Sequence, residues 1–215
     1  MAPLRQPFDG AQDKAQDTAS SGYRVAEGNV GAGTGATVGK IMGLKQAMKA
    51  GLGTASVDLG EGLVVGAIVA VNAFGDVIDP QTGQIIAGVR SLDGTGFADT
   101  LAVMKSLVGK TSLKFAEPRD TVIGVVATNA RLNKEEANKV AQMAQDGLAR
   151  TVRPAHTMFD GDTLFALATG SHNEPSMEAD VNTVGAYAAE VVAEAIVRAI
   201  KTAEGVAGLP AWQDL

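Results

Sequence analysis

The stretch Asp120-Thr-Val-Ile-Gly-Val-Val-Ala-Thr128 constrains the fold of this chain more than any other. It is a short apolar, β-branched run, which reads as a buried strand. Its first residue, Thr121, carries a hydroxyl, and the segment from Lys114 to Asp120 before it, with Pro118, reads as a loop. A threonine at the mouth of a strand has two readings. It is an ordinary strand residue, or it is a nucleophile that becomes a new N-terminus when the preceding loop is cut.

The 215 residues are enough to bury a large core, built from Ala, Val, Ile and Leu, since 46% of them are hydrophobic and only 4% aromatic. A formal net charge of −6 argues against a general nucleic-acid binder, which needs a basic face. The absence of cysteine excludes disulfides and thiolate metal sites, and two histidines argue against a His-rich metal centre. The apolar run Leu63 to Val71 is too short to span a bilayer, and the N-terminus lacks a signal-peptide apolar region. The expectation is a cytoplasmic protein with no cofactor and no membrane or nucleic-acid partner.

Residues 1–24 are polar and carry a short repeat (GAQDK, AQDT), so they read as a mobile leader to a single domain over 25–215. The glycine-dense segment Gly28 to Lys40 follows. It fails the Walker pattern, because Thr34 stands where the glycine is needed and Ile41 where Ser or Thr is needed. A dinucleotide fingerprint through Gly31, Gly33 and Ala36 lacks a preceding strand, which leaves a dinucleotide-binding oxidoreductase as a weak alternative to a tight loop packed on the core.

Ile41 to Gly51 is ambiguous between helix and irregular strand. Thr54 to Leu59 and Leu63 to Ala73 read as strands, the second buried on both faces. Val77-Ile78 and Gln84 to Val89 read as a hairpin turning through Asp79 to Gly83. Phe97 to Val108 reads as a helix with Phe97, Leu101, Met104 and Val108 inward, followed by a loop from Gly109 to Asp120. Asn133 to Arg150 is the clearest helix: Asn133 and Glu136 form a capping box, and Ala137, Val140, Ala144 and Leu148 face inward. Val152 to Asp162 reads as a loop, Leu164 to Thr169 as a strand and Val181 to Ala203 as a long covered helix. This order predicts a layered α/β fold with sheet inside and helices outside.

Four stretches resemble one family: Glu27 to Lys40 (EGNVGAGTGATVGK), Val69 to Asp76 (VAVNAFGD), Thr121 to Asn129 (TVIGVVATN) and His156 to Thr163 (HTMFDGDT). Together they resemble the L-aminopeptidase/D-amino-acid esterase family of N-terminal-nucleophile hydrolases, which includes β-peptidyl aminopeptidases and nylon-oligomer hydrolases. The resemblance implies an αββα-type sandwich, here without the N-terminal strands that other members carry before the glycine loop. It implies self-cleavage between Asp120 and Thr121 into pieces 25–120 and 121–215, assembly into a homo-oligomer, and hydrolysis of small peptide-like or amino-acid amide and ester substrates. Carried onto this chain, the catalytic set is Thr121, Lys40, Asn72, Asp160 and Asp162. Two departures stand out: the short polar leader, and Asp120 where the family usually has Asn or Gly before the cut. The leader motivates the alternative of a truncated, inactive homologue with an assembly role.

Each of these residues has an ordinary reading as well. Lys40 reads as a solvated lysine, Asn72 as closing the turn before Gly75, and Asp160-Gly-Asp162 as a turn. The two histidines, His156 and His172, read as structural or peripheral, since no Gly-x-Ser-x-Gly elbow accompanies them.

Overall fold

In the computed structural model, residues 25–115, 120–172 and 180–215 are described. The leader at 1–24 and the end of the expected loop at 116–119, with Pro118, lie outside them. The strands are β1 (Thr37–Val38), β2 (Met48–Lys49), β3 (Leu52–Asp58), β4 (Val64–Asn72), β5 (Asp76–Ile78), β6 (Ile85–Ala87), β7 (Thr121–Thr128), β8 (Val152–Arg153) and β9 (Thr163–Ala168). The helices are α1 (Thr100–Lys105), α2 (Leu107–Phe115), α3 (Lys134–Thr151) and α4 (Val181–Lys201).

The main sheet has the order β3-β4-β7-β9. β4 is antiparallel to both β3 and β7, and β7 runs parallel to β9. A parallel pair needs a long crossover, and α3 supplies it between β7 and β9. The layered α/β class expected from the sequence is the one observed, with α3 and α4 packed on one face of this sheet.

β7 shows how the sequence sets this up. Val122, Gly124, Val126 and Thr128 are buried on the helix side, while Thr121, Ile123, Val125 and Ala127 take the opposite face, as the period of two requires. α3 begins at the predicted capping box, in which the Asn133 side chain accepts from Glu136 N and the Glu136 carboxylate from Asn133 N. Val140, Ala144 and Leu148 of its inward stripe are fully buried against α4 and the sheet. The small residues let the layers come close. A Cβ on Gly53 would overlap the Ala195 carbonyl of α4, and one on Gly147 would overlap the Ala189 carbonyl.

The glycine loop is a packing device. Gly28, Gly33 and Gly51 stack backbone on backbone, and the loop leads into β1 rather than into a helix. The buried Lys49 ammonium donates to the carbonyls of Thr34 and Ala36, so this loop turns acceptors inward where a phosphate cradle would turn N–H groups. Glu27, at its start, accepts from Thr54 N and Oγ1 and pairs with Arg198 of α4 at 2.7 Å.

Four expectations are corrected. β4 is not buried on both faces: Val65, Ala67, Val69 and Val71 are covered, but Ile68 on the other face is exposed. That second face continues through Ile123, Phe165 and Leu167, and Asn72 and Thr121 sit at one end of it. Phe97 is not helical, because Asp99 caps a helix that starts only at Thr100, and Leu101 and Val108 of the expected stripe are exposed. The expected loop after Val108 is largely helix α2, separated from α1 by Ser106 in extended conformation. The expected loop from Val152 opens with a short strand, β8, paired to β5.

Ile41 to Gly51 resolves into a single 3-10 turn, Leu44–Gln46, and the two-residue strand β2. The hairpin of β5 and β6 is present where expected. Replacing Gly53 by Ala tests the close helix-on-sheet contact. Forcing a methyl against the Ala195 carbonyl should cost about 1–3 kcal/mol, read as a lower urea midpoint at unchanged slope.

Candidate active site

The site forms where β4 and β7 end side by side. Asn72 and Thr121 are directly opposed in the antiparallel register, so their side chains leave the same face as neighbours. The Asp120 backbone continues β7 outward, making a parallel bridge to Asp160 in the segment that leads into β9. The glycine loop brings Lys40 in from the side, its N–H anchored on the Phe74 carbonyl and that of Gly39 on the Gly75 carbonyl.

Lys40 is no surface lysine. Its side chain is 12% exposed, and Nζ donates to Asp120 Oδ1 at 2.5 Å, Asn72 Oδ1 at 2.6 Å and the Asn72 carbonyl at 3.1 Å. Burial pulls its pKa below the ordinary lysine value, although Asp120 and Asp160 pull the other way. Asn72 Oδ1 also accepts from Thr37 N at 3.2 Å. The amide's carbonyl end is thereby committed to Lys40 and Thr37, which fixes the orientation of its NH₂ end.

The peptide between Asp120 and Thr121 is held at its carbonyl. That oxygen accepts from Gly161 N at 2.8 Å and from Thr121 Oγ1 at 2.5 Å. Gly161 is a glycine for a local reason: a Cβ there would lie 3.0 Å from Thr121 Oγ1. The Asp120 N–H in turn donates to the Phe159 carbonyl at 3.2 Å.

The two acidic residues flank this peptide on either side of Gly161. Asp160 accepts from Phe74 N at 2.9 Å and from Thr157 Oγ1 at 2.7 Å, tying the end of β4 to the β9 side. Asp162 accepts from Val122 N at 2.9 Å, one residue beyond the hydroxyl, and from His156 N at 3.1 Å. Burial pushes the Asp162 carboxyl above the ordinary aspartate value, and the backbone donors only partly offset this. In the uncut chain both carboxylates therefore act as braces on the backbone around Thr121.

All five expected residues and Asp120 thus converge. Sequence reasoning missed three further contributors: the Gly161 N–H, the Phe159 carbonyl, and His156, whose Nδ1 lies 3.1 Å from Asp162 Oδ2. The first two are main-chain groups with no signature in residue identity, although both residues fall within the motif His156 to Thr163. Outside this cluster, the fully buried Asp76 accepts from Val89 N, Thr100 N and Thr100 Oγ1, and so anchors α1 to the strand that follows the site. His172 lies away from this cluster, beyond β9, with its N–H on the Asn129 carbonyl.

A cleft of about 670 Å³ opens beside Lys40, lined by Ile41, Met42, Phe74, Val108 and Leu113 among others. The Phe74 and Phe159 rings, 5.1 Å apart, form part of the apolar cluster behind it. Among the described residues, no group of three or more His, Cys, Asp or Glu is placed to hold a metal ion, and no helix is long and apolar enough to cross a membrane.

The profile of peptidase family S58 matches residues 5–211. The chain is 40% identical over 211 residues to a protein named as an uncharacterized aminopeptidase of Mycobacterium tuberculosis, covering 92% of this chain and 59% of that one. It is 27% identical over 201 residues to a 6-aminohexanoate-oligomer endohydrolase of Paenarthrobacter ureafaciens, covering 88% and 56%. Among solved structures it is similar to a β-aminopeptidase of Burkholderia, with a TM-score of 0.52 at 28% identity over 85% of this chain and 48% of that one. It is equally similar to the L-aminopeptidase D-Ala-esterase/amidase of Ochrobactrum anthropi, described as a variant of the Ntn hydrolase fold, with a TM-score of 0.52 at 25% identity over 86% and 48%. The chain spans 56% to 65% of the length of the curated relatives it matches.

The Lys40–Asp120 pair can be tested without reference to activity. Lys40→Met leaves a buried carboxylate unpaired and should destabilise the chain by about 3–5 kcal/mol in denaturant titration. Adding Asp120→Leu, which removes the stranded charge, should restore much of that loss. A single substitution that costs less than about 1 kcal/mol would show the pair to be loosely held.

Proposed function

The chain belongs to peptidase family S58, and from that membership we propose that it is a self-processing hydrolase of peptide-like amide bonds with Thr121 as its nucleophile. The observation that carries this reading is the Asp120 carbonyl, held between the Gly161 N–H and the Thr121 hydroxyl.

The chemistry follows from that arrangement. Thr121 Oγ attacks the Asp120 carbonyl carbon, and the Gly161 N–H steadies the charge that develops on the oxygen. The C–N bond breaks, the Thr121 nitrogen takes up a proton, and an ester joins Asp120 to Thr121 Oγ. Water then hydrolyses the ester, releasing the Asp120 carboxylate and restoring the hydroxyl beside a free α-amine. That amine has an unperturbed pKa of about 7.7–8.0, so much of it is neutral near pH 7 and can take the hydroxyl proton in later cycles. An internal amide nitrogen cannot do this, which is why the cut must precede turnover.

Lys40 keeps a cationic neighbour near the new amine and holds it neutral. The Asn72 NH₂ is a candidate second donor to the tetrahedral intermediate. Asp160 and Asp162 position the strand ends around the new amine through their backbone bonds to Phe74 N and Val122 N. The relatives named as aminopeptidases and as oligomer endohydrolases support a peptide-like substrate with an amide bond. In this reading the pieces 25–120 and 121–215 stay together and assemble with further copies in the cytoplasm.

Purified protein should separate into two pieces under denaturing conditions, the smaller beginning Thr-Val-Ile-Gly. Thr121→Ala should stay in one piece and turn over no amino-acid p-nitroanilide. Asn72→Ala should be about 10²–10³ slower in turnover. Gly161→Ala, whose methyl crowds the hydroxyl, should fold but cut slowly. An intact wild-type chain with no turnover after long incubation would instead favour a purely structural homologue.

A further inference from the structure

Asp120 is buried to 8% exposure and held at three separate points, which is more than a residue at a cleavage site requires. Its N–H donates to the Phe159 carbonyl at 3.2 Å, its carbonyl accepts from Gly161 N at 2.8 Å, and its carboxylate takes the Lys40 ammonium at 2.5 Å. Building on the threonine-nucleophile reading, we infer that Asp120 occupies the acyl subsite of the mature enzyme, and that this subsite takes an N-terminal aspartyl residue of a peptide or amide substrate.

Thr121 Oγ attacks first the carbonyl of Asp120 and later the carbonyl of a substrate. Both carbonyl carbons must come to the same oxygen, and both carbonyl oxygens to the same donor. The residue contributing the substrate carbonyl therefore lies where Asp120 lies. Its free ammonium falls at the Phe159 carbonyl, in place of the Asp120 N–H, which suits a substrate that ends there. Its side chain falls at Lys40.

Lys40 then selects. Its other close acceptors are the two oxygens of Asn72, both neutral. The nearby Asp160 carboxylate is already engaged by Phe74 N and Thr157 Oγ1. Once Asp120 has left, an incoming carboxylate restores the charge-assisted bond. An asparagine side chain restores a weaker one, an alanine restores none, and a lysine meets like charge. A site built around a hydrogen-bonded group discriminates strongly against substrates that lack it.

Two rate series on the same chain test this. Intact mass spectrometry over time follows cutting in wild type, Asp120→Asn, Asp120→Ala and Asp120→Lys. The processed wild type is then assayed on aspartyl, asparaginyl, alanyl and lysyl p-nitroanilides. The expected order is the same in both series, aspartyl first and lysyl last. The expected kcat/KM for the aspartyl compound exceeds that for the alanyl one by about tenfold or more. The substrate series needs no mutation, so a variant that fails to fold does not obscure it, and the cutting order decides if no p-nitroanilide is turned over. A processed enzyme that prefers the alanyl compound, or cutting rates indifferent to residue 120, would overturn the subsite while leaving Thr121 as nucleophile. A wild-type chain that stays whole and inactive would remove both.

Discussion

The buried contact between Lys40, Asn72 and Asp120 is the constraint on which the site depends. These three residues come from the glycine loop, the end of β4 and the entry to β7. Their mutual bonds, at 2.5 and 2.6 Å about one ammonium group, fix the separation of three chain segments remote in sequence. A desolvated cation tolerates such a position only when acceptors surround it, so loss of any one acceptor is felt by all. The rest of the fold delivers the segments. α3 and α4 hold β4 and β7 from behind, and the stacked glycines let the loop approach closely enough for Lys40 to reach in.

The second constraint is the main chain between Phe159 and Gly161. Asp160 bridges to Asp120, and the flanking Phe159 carbonyl and Gly161 N–H grip Asp120 at its N–H and its carbonyl. Asp160 and Asp162 secure this grip by bonding to Phe74 N, just past the end of β4, and to Val122 N, just inside the start of β7. The acidic pair and the glycine between them therefore form one device. The carboxylates set the position of the segment, and the missing side chain leaves space for a hydroxyl.

Much of this was legible in the sequence where residue identity carries the information. β7 announced itself by its β-branched run, and α3 by Asn133 and Glu136, whose side chains make the reciprocal cap. The convergence of Lys40, Asn72, Thr121, Asp160 and Asp162 was expected from four motifs, but their partners were not. Lys40 looked like a solvated lysine because nothing local shows that Asp120, eighty positions away, would neutralise it. The donor of Gly161 and the acceptor of Phe159 are peptide groups common to every residue. Periodicity failed at β4, since an unbroken apolar run does not say that Ile68 would be exposed. It failed again at α2, where Gly109, Thr111 and Ser112 are weak helix formers and the helix is fixed partly by Ser106, whose Oγ accepts from Gly109 N.

In this mechanism the Thr121 hydroxyl takes the acyl group of Asp120 from its own nitrogen. Neutral hydroxylamine added to freshly purified uncut chain tests this directly, because it intercepts an ester and leaves an ordinary amide alone. The break should appear sooner, between Asp120 and Thr121, and the N-terminal piece should end in an Asp120 hydroxamate by mass. A chain that stays whole, or that breaks at this peptide with only a free acid on the N-terminal piece at any hydroxylamine concentration, would contradict it.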